Sequence, residues 1–146
     1  MEKSKIELFK KENPSKEFPT FRQVHLEEQK ALFQKMSEKL GLELQEDLFT
    51  IAKTIIQKAI PIEGFNAQNV NFNLFQLLSN LEIKPEKNVF VNWWFKYGDV
   101  DEFAFTDLND YFNDIWFPGP DDLDIFDSTF NWIIHIDHSG FISLIE

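Results

Sequence analysis

The chain has 146 residues, among them 17 phenylalanines and 4 tryptophans, and carries a formal net charge of −11. This length suits one domain spanning residues 1–146, and the aromatic content argues against disorder. The absence of cysteine excludes a disulfide scaffold, a thiolate metal site and a cysteine nucleophile. The charged N-terminal segment lacks the apolar core of a secretion signal, and no stretch approaches the roughly 18 apolar residues of a membrane span. We therefore expect a cytoplasmic protein without a membrane partner.

Positive and negative charges are divided along the chain. All 14 Lys and Arg residues lie at or before Lys96, whereas residues 97–146 hold 12 acidic residues. Nucleic-acid binding depends on neutralising phosphates with Lys and Arg, so this acidic final third disfavours a nucleic-acid partner. It favours a basic protein or a cation. A purely solubilising role for the acidic surface is compatible with the same composition.

Apolar periodicity predicts four helices in the first 81 residues. The second is the clearest, with apolar side chains at amphipathic spacing and Gly41 placed to end it. Pro61 ends the third helix, and Asn66 is a candidate N-cap for the fourth. The predicted helices are 1–12, 26–40, 45–60 and 67–81.

The period changes to two after residue 87, which predicts strands. Residues 88–95 alternate apolar side chains on both faces, as in a strand covered on both sides. Residues 100–105 are the expected hairpin partner, and Thr106 is the expected N-cap of a helix over 107–116. Further strands are predicted at 122–126, 131–137 and 141–145. This order predicts an α+β fold, with N-terminal helices packed on a C-terminal, mainly antiparallel sheet that has one inserted helix.

Two groups of aspartates flank the Pro-Gly-Pro turn at 118–120 and could form one negative docking surface. The first group recurs at i, i+3 and i+7 along the predicted helix, and the second follows the turn directly. Such a surface would speed association with a basic partner and select for it, and nearby aromatic residues could anchor the contact. The predicted partner-binding residues are Asp107, Asp110, Asp114, Asp121, Asp122, Asp124, Trp94 and Tyr97.

The alternative is a metal site in the last hairpin. A four-residue loop at 127–130 would place Asp122 opposite His135, with Asp137 on the same face. Such oxygen and nitrogen ligands could bind zinc or manganese, in a small metal-binding protein or a metal-dependent enzyme. Catalysis is otherwise not predicted, because the chain has neither a nucleophile elbow nor a glycine-rich phosphate loop, and no cofactor is expected.

The C-terminal pattern DDLDIFDSTFNWIIHIDHSGFISL, residues 121–144, resembles the closing hairpin of small acidic bacterial proteins. Some of these are immunity proteins of polymorphic toxin or contact-dependent inhibition systems. Their F-D-x-x-x-x-W-x-x-x-x-x-H-x-G/E segment is similar to Phe126, Asp127, Trp132 and His138 here. The resemblance implies an inhibitor that occludes a toxin. It assigns no toxin-binding residue, because immunity proteins diverge with their toxins.

The sequence thus predicts a protein-binding module, in particular an immunity-type inhibitor that covers a basic toxin, such as a nuclease, with an acidic surface. A homodimer, in which the acidic half of one copy faces the N-terminal half of another, is a third interpretation of the charge division.

Overall fold

We describe the fold from a computed structural model, which describes residues 1–43, 47–94 and 99–146. The described residues form one seven-stranded sheet in the order β1-β4-β3-β5-β6-β7-β2, and every pairing is antiparallel. This confirms the predicted α+β class. The strands are β1 Phe21–Gln23, β2 Ile60–Pro61, β3 Asn88–Trp93, β4 Val100–Ala104, β5 Leu123–Phe126, β6 Ile133–Ile136 and β7 Ile142–Ile145.

Six helices accompany this sheet in the described part of the chain. They are α1 Lys3–Glu12, α2 Leu26–Leu40, α3 Leu48–Lys58, α4 Leu74–Asn80, α5 Phe105–Asp110 and α6 Phe112–Ile115. The predicted bounds of α2 are confirmed, and Gly41 ends it in the left-handed region with φ 71°, which glycine adopts readily. None of the described helices has the length and apolar character that crossing a bilayer requires.

Two helix predictions are wrong in their start points. The fourth helix begins at Leu74, because the side chain of Asn73 accepts a hydrogen bond from the Gln76 amide and caps it. Asn66 instead accepts from the amide of Gln68 within a turn. The helix expected over 107–116 begins at Phe105, so Thr106 is not its N-cap, and it is interrupted at Tyr111, where φ is −112°.

Helices cover both faces of the sheet. Along β3, Val91 and Trp93 pack into an apolar cluster with α4, α5 and α6. Phe90 and Trp94, pointing the other way, pack with α2 and α3. The predicted two-sided burial of this strand is therefore confirmed, and the side chains of β5 and β6 are likewise divided between the two clusters.

Two short edge strands were not predicted from the sequence. β1 pairs with β4 through Phe21 and Phe103, and β2 pairs with β7 through Ile60 and Leu144. Strands of three and two residues are too short to show a period of two. Pro61, expected only to end a helix, lies in an edge strand, where a missing amide hydrogen is tolerated.

Candidate functional site

Two of the aspartates predicted to bind a partner lie in the interior. Asp121 is buried and pairs with Lys5 of α1, while its Oδ2 also accepts from the Phe117 amide at 2.7 Å. Asp124 is buried as well and accepts the indole N–H of Trp94. The prediction that Asp121 and Asp124 contribute to an exposed docking surface is therefore wrong. Lys5 of α1 covers Asp121, and Asp124 lies on the sheet face that α2 and α3 cover.

The other predicted aspartates lie on opposite sides of the sheet. Asp107, Asp110 and Asp114 belong to α5 and α6; Asp110 is exposed, and the other two are half-buried. Burial, together with the charge of Glu12, raises the pKa of Asp114. Asp122 lies on the side covered by α2 and α3, where it lines a cavity. The sequence suggested that the two groups form one surface. In the structure they do not.

A row of polar side chains crosses the sheet on the face that α2 and α3 cover. Asn92, Asp124, His135 and Ser143 pair in register on β3, β5, β6 and β7. Nδ1 of His135 lies 2.8 Å from Oδ1 of Asp124, and Nδ2 of Asn92 lies 3.3 Å from Oδ2 of the same carboxylate. In the part of the chain that the structure describes, the hydroxyl of Ser143 makes no hydrogen bond to the imidazole. The row is thus a buried His–Asp couple with a serine beside it.

The Asp124 carboxylate fixes the hydrogen-bonding state of His135. A carboxylate can only accept, so Nδ1 carries the proton and Nε2 presents its lone pair when the ring is neutral. Burial has the largest single effect and lowers the pKa of His135, whereas the hydrogen bond to Asp124 and the charge of that carboxylate raise it. The charges of Asp122 and Asp137 act in the same direction, and the pKa lies above its ordinary 6.5. His135 is therefore a buried group that titrates.

His135 forms part of the wall of a cavity of about 430 Å³ that opens to solvent. Helix α3 and the ends of β3, β5, β6 and β7 surround it, so that its walls are mostly apolar and its polar groups come from the sheet. The lining residues are Ala52, Ile56, Ala59, Pro61, Trp94, Asp122, His135, Asp137, His138, Phe141, Ile142 and Ser143.

Large apolar side chains at the mouth of this cavity are exposed. Phe141 is 68% exposed and Ile56 is 60% exposed, and carboxylates lie beside them. Together, Ile56, Pro61, Asp122, Asp137 and Phe141 are called the cavity face below. An apolar centre with a polar rim is the usual anatomy of a protein interface.

The residues of the predicted metal site line the same cavity but are engaged elsewhere. Asp124, not Asp122, pairs with His135 in the sheet. Asp122 accepts from the backbone amide of His138 at 2.9 Å, and Asp137 accepts from the Ser139 and Phe141 amides at 2.8 and 2.9 Å. Among the described residues, no group of three or more His, Asp or Glu side chains is placed to hold a metal ion.

The aromatic residues near the end of β3 have different positions. Trp93 is in the core, as expected, and its indole N–H donates to Asp101 at 2.8 Å. Trp94, predicted as a partner-binding anchor, is only 6% exposed and forms a wall of the cavity. Its burial contradicts an anchor that projects from the surface. Tyr97, the other predicted anchor, lies outside the described residues.

No pattern in the sequence marked Ile56 and Phe141 as interface residues. Ile56 lies in the apolar arc of α3, and a broad apolar arc usually indicates a buried helix. Phe141 follows directly after the turn glycine Gly140. Its position at the edge of a turn is a signal from which exposure could have been predicted.

Comparisons of the chain with protein-family models, with curated proteins and with solved structures found no match. What the cavity face could bind is inferred from its own chemistry.

Proposed function

We propose that this chain is a protein-binding module of the immunity type, which docks its cavity face on a basic partner and so occludes it. One observation carries the proposal: exposed Phe141 and Ile56 stand beside the carboxylates of Asp122 and Asp137 around one cavity. Inhibition would be steric and electrostatic, without catalysis.

The apolar part of the cavity face would supply most of the affinity. Fully burying one large apolar side chain stabilises a complex by about 1.5–3 kcal/mol, and aromatic residues near the centre of an interface are frequent energetic anchors. Phe141 is the aromatic candidate, because it is exposed while Trp94 behind it is already packed.

The negative charge would select the partner and speed its approach. The net charge of −11 creates a long-range field that attracts a basic surface, and complementary charges raise association rates more than affinity. Asp107, Asp110 and Asp114 lie across the sheet from the cavity face. We therefore no longer expect them to contact the partner directly, but their charges contribute to this field.

The test uses the gene next to the one encoding this chain. An immunity protein is expected beside a large secreted protein with a toxic C-terminal domain, so that domain is expressed, and its affinity for this chain is measured by calorimetry. We expect Phe141→Asp to weaken binding by at least about a hundredfold, the loss of one strong anchor. Phe75→Asp is the matched control, since Phe75 is 61% exposed but belongs to α4 on the other side of the sheet.

A second variant separates the field from the contact. Reversing Asp110 and Asp114 to Lys should slow association at low salt and leave the dissociation rate unchanged. Loss of the complex in this variant, with Phe141→Asp neutral, would place the interface on α5 and α6 and contradict the proposal. A neighbouring product that does not bind would overturn the immunity-type assignment.

A further inference from the structure

We infer that the cavity receives one lysine or arginine side chain of the partner, with His135 accepting a hydrogen bond from its cationic head. This inference rests on the proposed binding role of the cavity face. It adds a defined subsite to that face and a pH dependence.

The walls of the cavity match the aliphatic part of such a side chain. Ala52 and Ile56 of α3, with its C-cap residue Ala59, lie along one side, and Pro61 and Trp94 add further apolar surface. Lysine and arginine pack their methylene stems along apolar surface while the charged head reaches polar groups. A cavity of about 430 Å³ leaves room for either stem.

Each polar side chain that lines the cavity can accept a hydrogen bond: Asp122, His135, Asp137, His138 and Ser143. The side chain of His135 is only 10% exposed, and its Nδ1 is held by Asp124. The neutral ring therefore has a lone pair on Nε2, with no protein partner among the described residues. The carboxylates of Asp122 and Asp137 line the same cavity and can only accept. An ammonium or guanidinium group, which only donates, complements this set.

The same groups disfavour other ligands. An anion would lie near Asp122 and Asp137, and among the described residues no lysine or arginine lines the cavity to compensate its charge. A purely apolar side chain would leave the Nε2 lone pair of His135 desolvated without a partner, which is unfavourable. Of the three chemistries, the cationic side chain with an aliphatic stem is the one that satisfies both the walls and the polar groups.

Protonation of His135 should oppose this binding. The imidazolium has N–H groups at both nitrogens, so Nε2 becomes a donor and adds a positive charge beside the incoming cation. The charged groups that face His135 are Asp124, Asp122 and Asp137, and His138 lies at the cavity wall. Binding of the cationic side chain should therefore weaken as the pH falls through the range in which His135 protonates.

The test is a titration of the full chain followed by two-dimensional NMR, with small probes that do not require the partner. Nα-acetyl-lysine N-methylamide should shift the indole N–H of Trp94 and the ring signals of His135, and its arginine analogue should do the same. The norleucine analogue has a similar stem without the ammonium. It should bind at least about tenfold more weakly, because it cannot form the hydrogen bond that a charged group donates.

Two variants complete the design. Asp122→Asn keeps an oxygen for the His138 amide and should weaken the lysine probe several-fold, whereas Asp110→Asn removes the same charge from α5 and should leave affinity unchanged. The dispersed spectrum of each variant shows that it is folded. In the unmodified chain, affinity should be higher at pH 8 than at pH 5.5.

Three results would overturn the inference: equal affinity for the lysine and norleucine probes, equal or tighter binding of the glutamate analogue, or no shift of Trp94 and His135 with any probe. Affinity that does not change with pH would remove His135 from the subsite. None of these results affects the partner complex measured with Phe141→Asp, so failure of the subsite is distinguishable from failure of the proposed function.

Discussion

Nδ1 of His135 and Oδ1 of Asp124 lie 2.8 Å apart on adjacent strands, on a sheet face where most neighbouring side chains are apolar. This pair links the interior of the protein to the cavity, because Asp124 is buried whereas His135 forms part of the cavity wall. The protonation of one ring therefore affects both the stability of the fold and the chemistry of the cavity.

The stability of the chain should depend on pH through His135. Its pKa in the folded state is raised above 6.5, so the fold favours the imidazolium. The stabilisation that this preference adds to the fold is fully present below the pKa of His135 in the unfolded chain. It is lost as the pH rises through the pKa in the folded state. Urea unfolding of the parent chain and of His135→Gln should show a difference in unfolding free energy that is larger at pH 5.5 than at pH 8.5.

His25 and His138 are unchanged in the variant, so the difference reports on position 135. A gap between parent and variant that widens as the pH rises would contradict the assigned direction of the shift.

Lys5 should be among the most sensitive positions of α1. Its Nζ pairs with the buried Asp121, donates to the Ile115 carbonyl at 2.6 Å and lies 4.8 Å from the ring centre of Trp93. Removing one partner of a buried ion pair leaves an uncompensated charge and costs about 3–5 kcal/mol. We expect Lys5→Met to lower the unfolding free energy by that amount in urea denaturation.

The control is Lys3→Met, in the same helix, because Lys3 is exposed and surface substitutions usually change stability by less than about 0.5 kcal/mol. Adding Asp121→Asn to Lys5→Met should recover part of the loss. Equal effects of Lys3→Met and Lys5→Met would show that the buried pair contributes nothing.

Gly140 should tolerate no side chain, for two separable reasons. Its φ is +79°, and a Cβ atom there would lie 2.9 Å from the backbone nitrogen of Gln68 and 2.5 Å from Oδ1 of Asn66. Gly64 has a similar φ of +82° with nothing within 4 Å of the added atom. Gly64→Ala should therefore cost about 1–2 kcal/mol from the left-handed backbone alone, and Gly140→Ala should cost clearly more.

Thermal or urea unfolding of the two variants measures this difference. Similar losses at both glycines would mean that the segment at Asn66–Gln68 moves away without penalty, so that close approach does not determine the choice of glycine at 140.

The elements that the sequence predicted best are those with long periodic patterns. In α2, Leu32, Met36 and Leu40 repeat at helical spacing and are buried, and Gly41 marks the end. The division of β6 between Ile134 on one face and His135 on the other also followed from a period of two. Both patterns depend only on local geometry, which a sequence shows directly.

The pairing of His135 depended instead on the length of one loop. A four-residue loop would have set Asp122 opposite His135, but six residues separate β5 from β6, and the register shifts by two to Asp124. Asp127 holds this longer loop by accepting from the Thr129 amide at 3.0 Å and from the indole N–H of Trp132 at 3.0 Å. Side-chain hydrogen bonds of this kind within a loop have no periodic signal.

The burial of Asp124 could not be predicted from a local pattern either. Alternating Asp and apolar residues, as in Asp122–Ile125, is the pattern of a strand with one face in water. Here the second face is covered by α2 and α3, which are distant in sequence. Whether an acidic residue is at the surface therefore depended on where remote helices pack.

Asp124 should act on the cavity indirectly, by positioning the His135 ring and raising its pKa. Both its hydrogen bond and its charge raise that pKa, and Asp124→Asn removes the charge while keeping an oxygen that can accept from Nδ1. NMR titration of the His135 ring should therefore give a lower pKa in Asp124→Asn than in the parent chain, whereas Asp110→Asn, on the other side of the sheet, should leave it unchanged. A purely structural role for Asp124 predicts lower stability with no change in that pKa. Because binding of the cationic probe requires the neutral ring, the pH at which its affinity falls should move down together with the pKa.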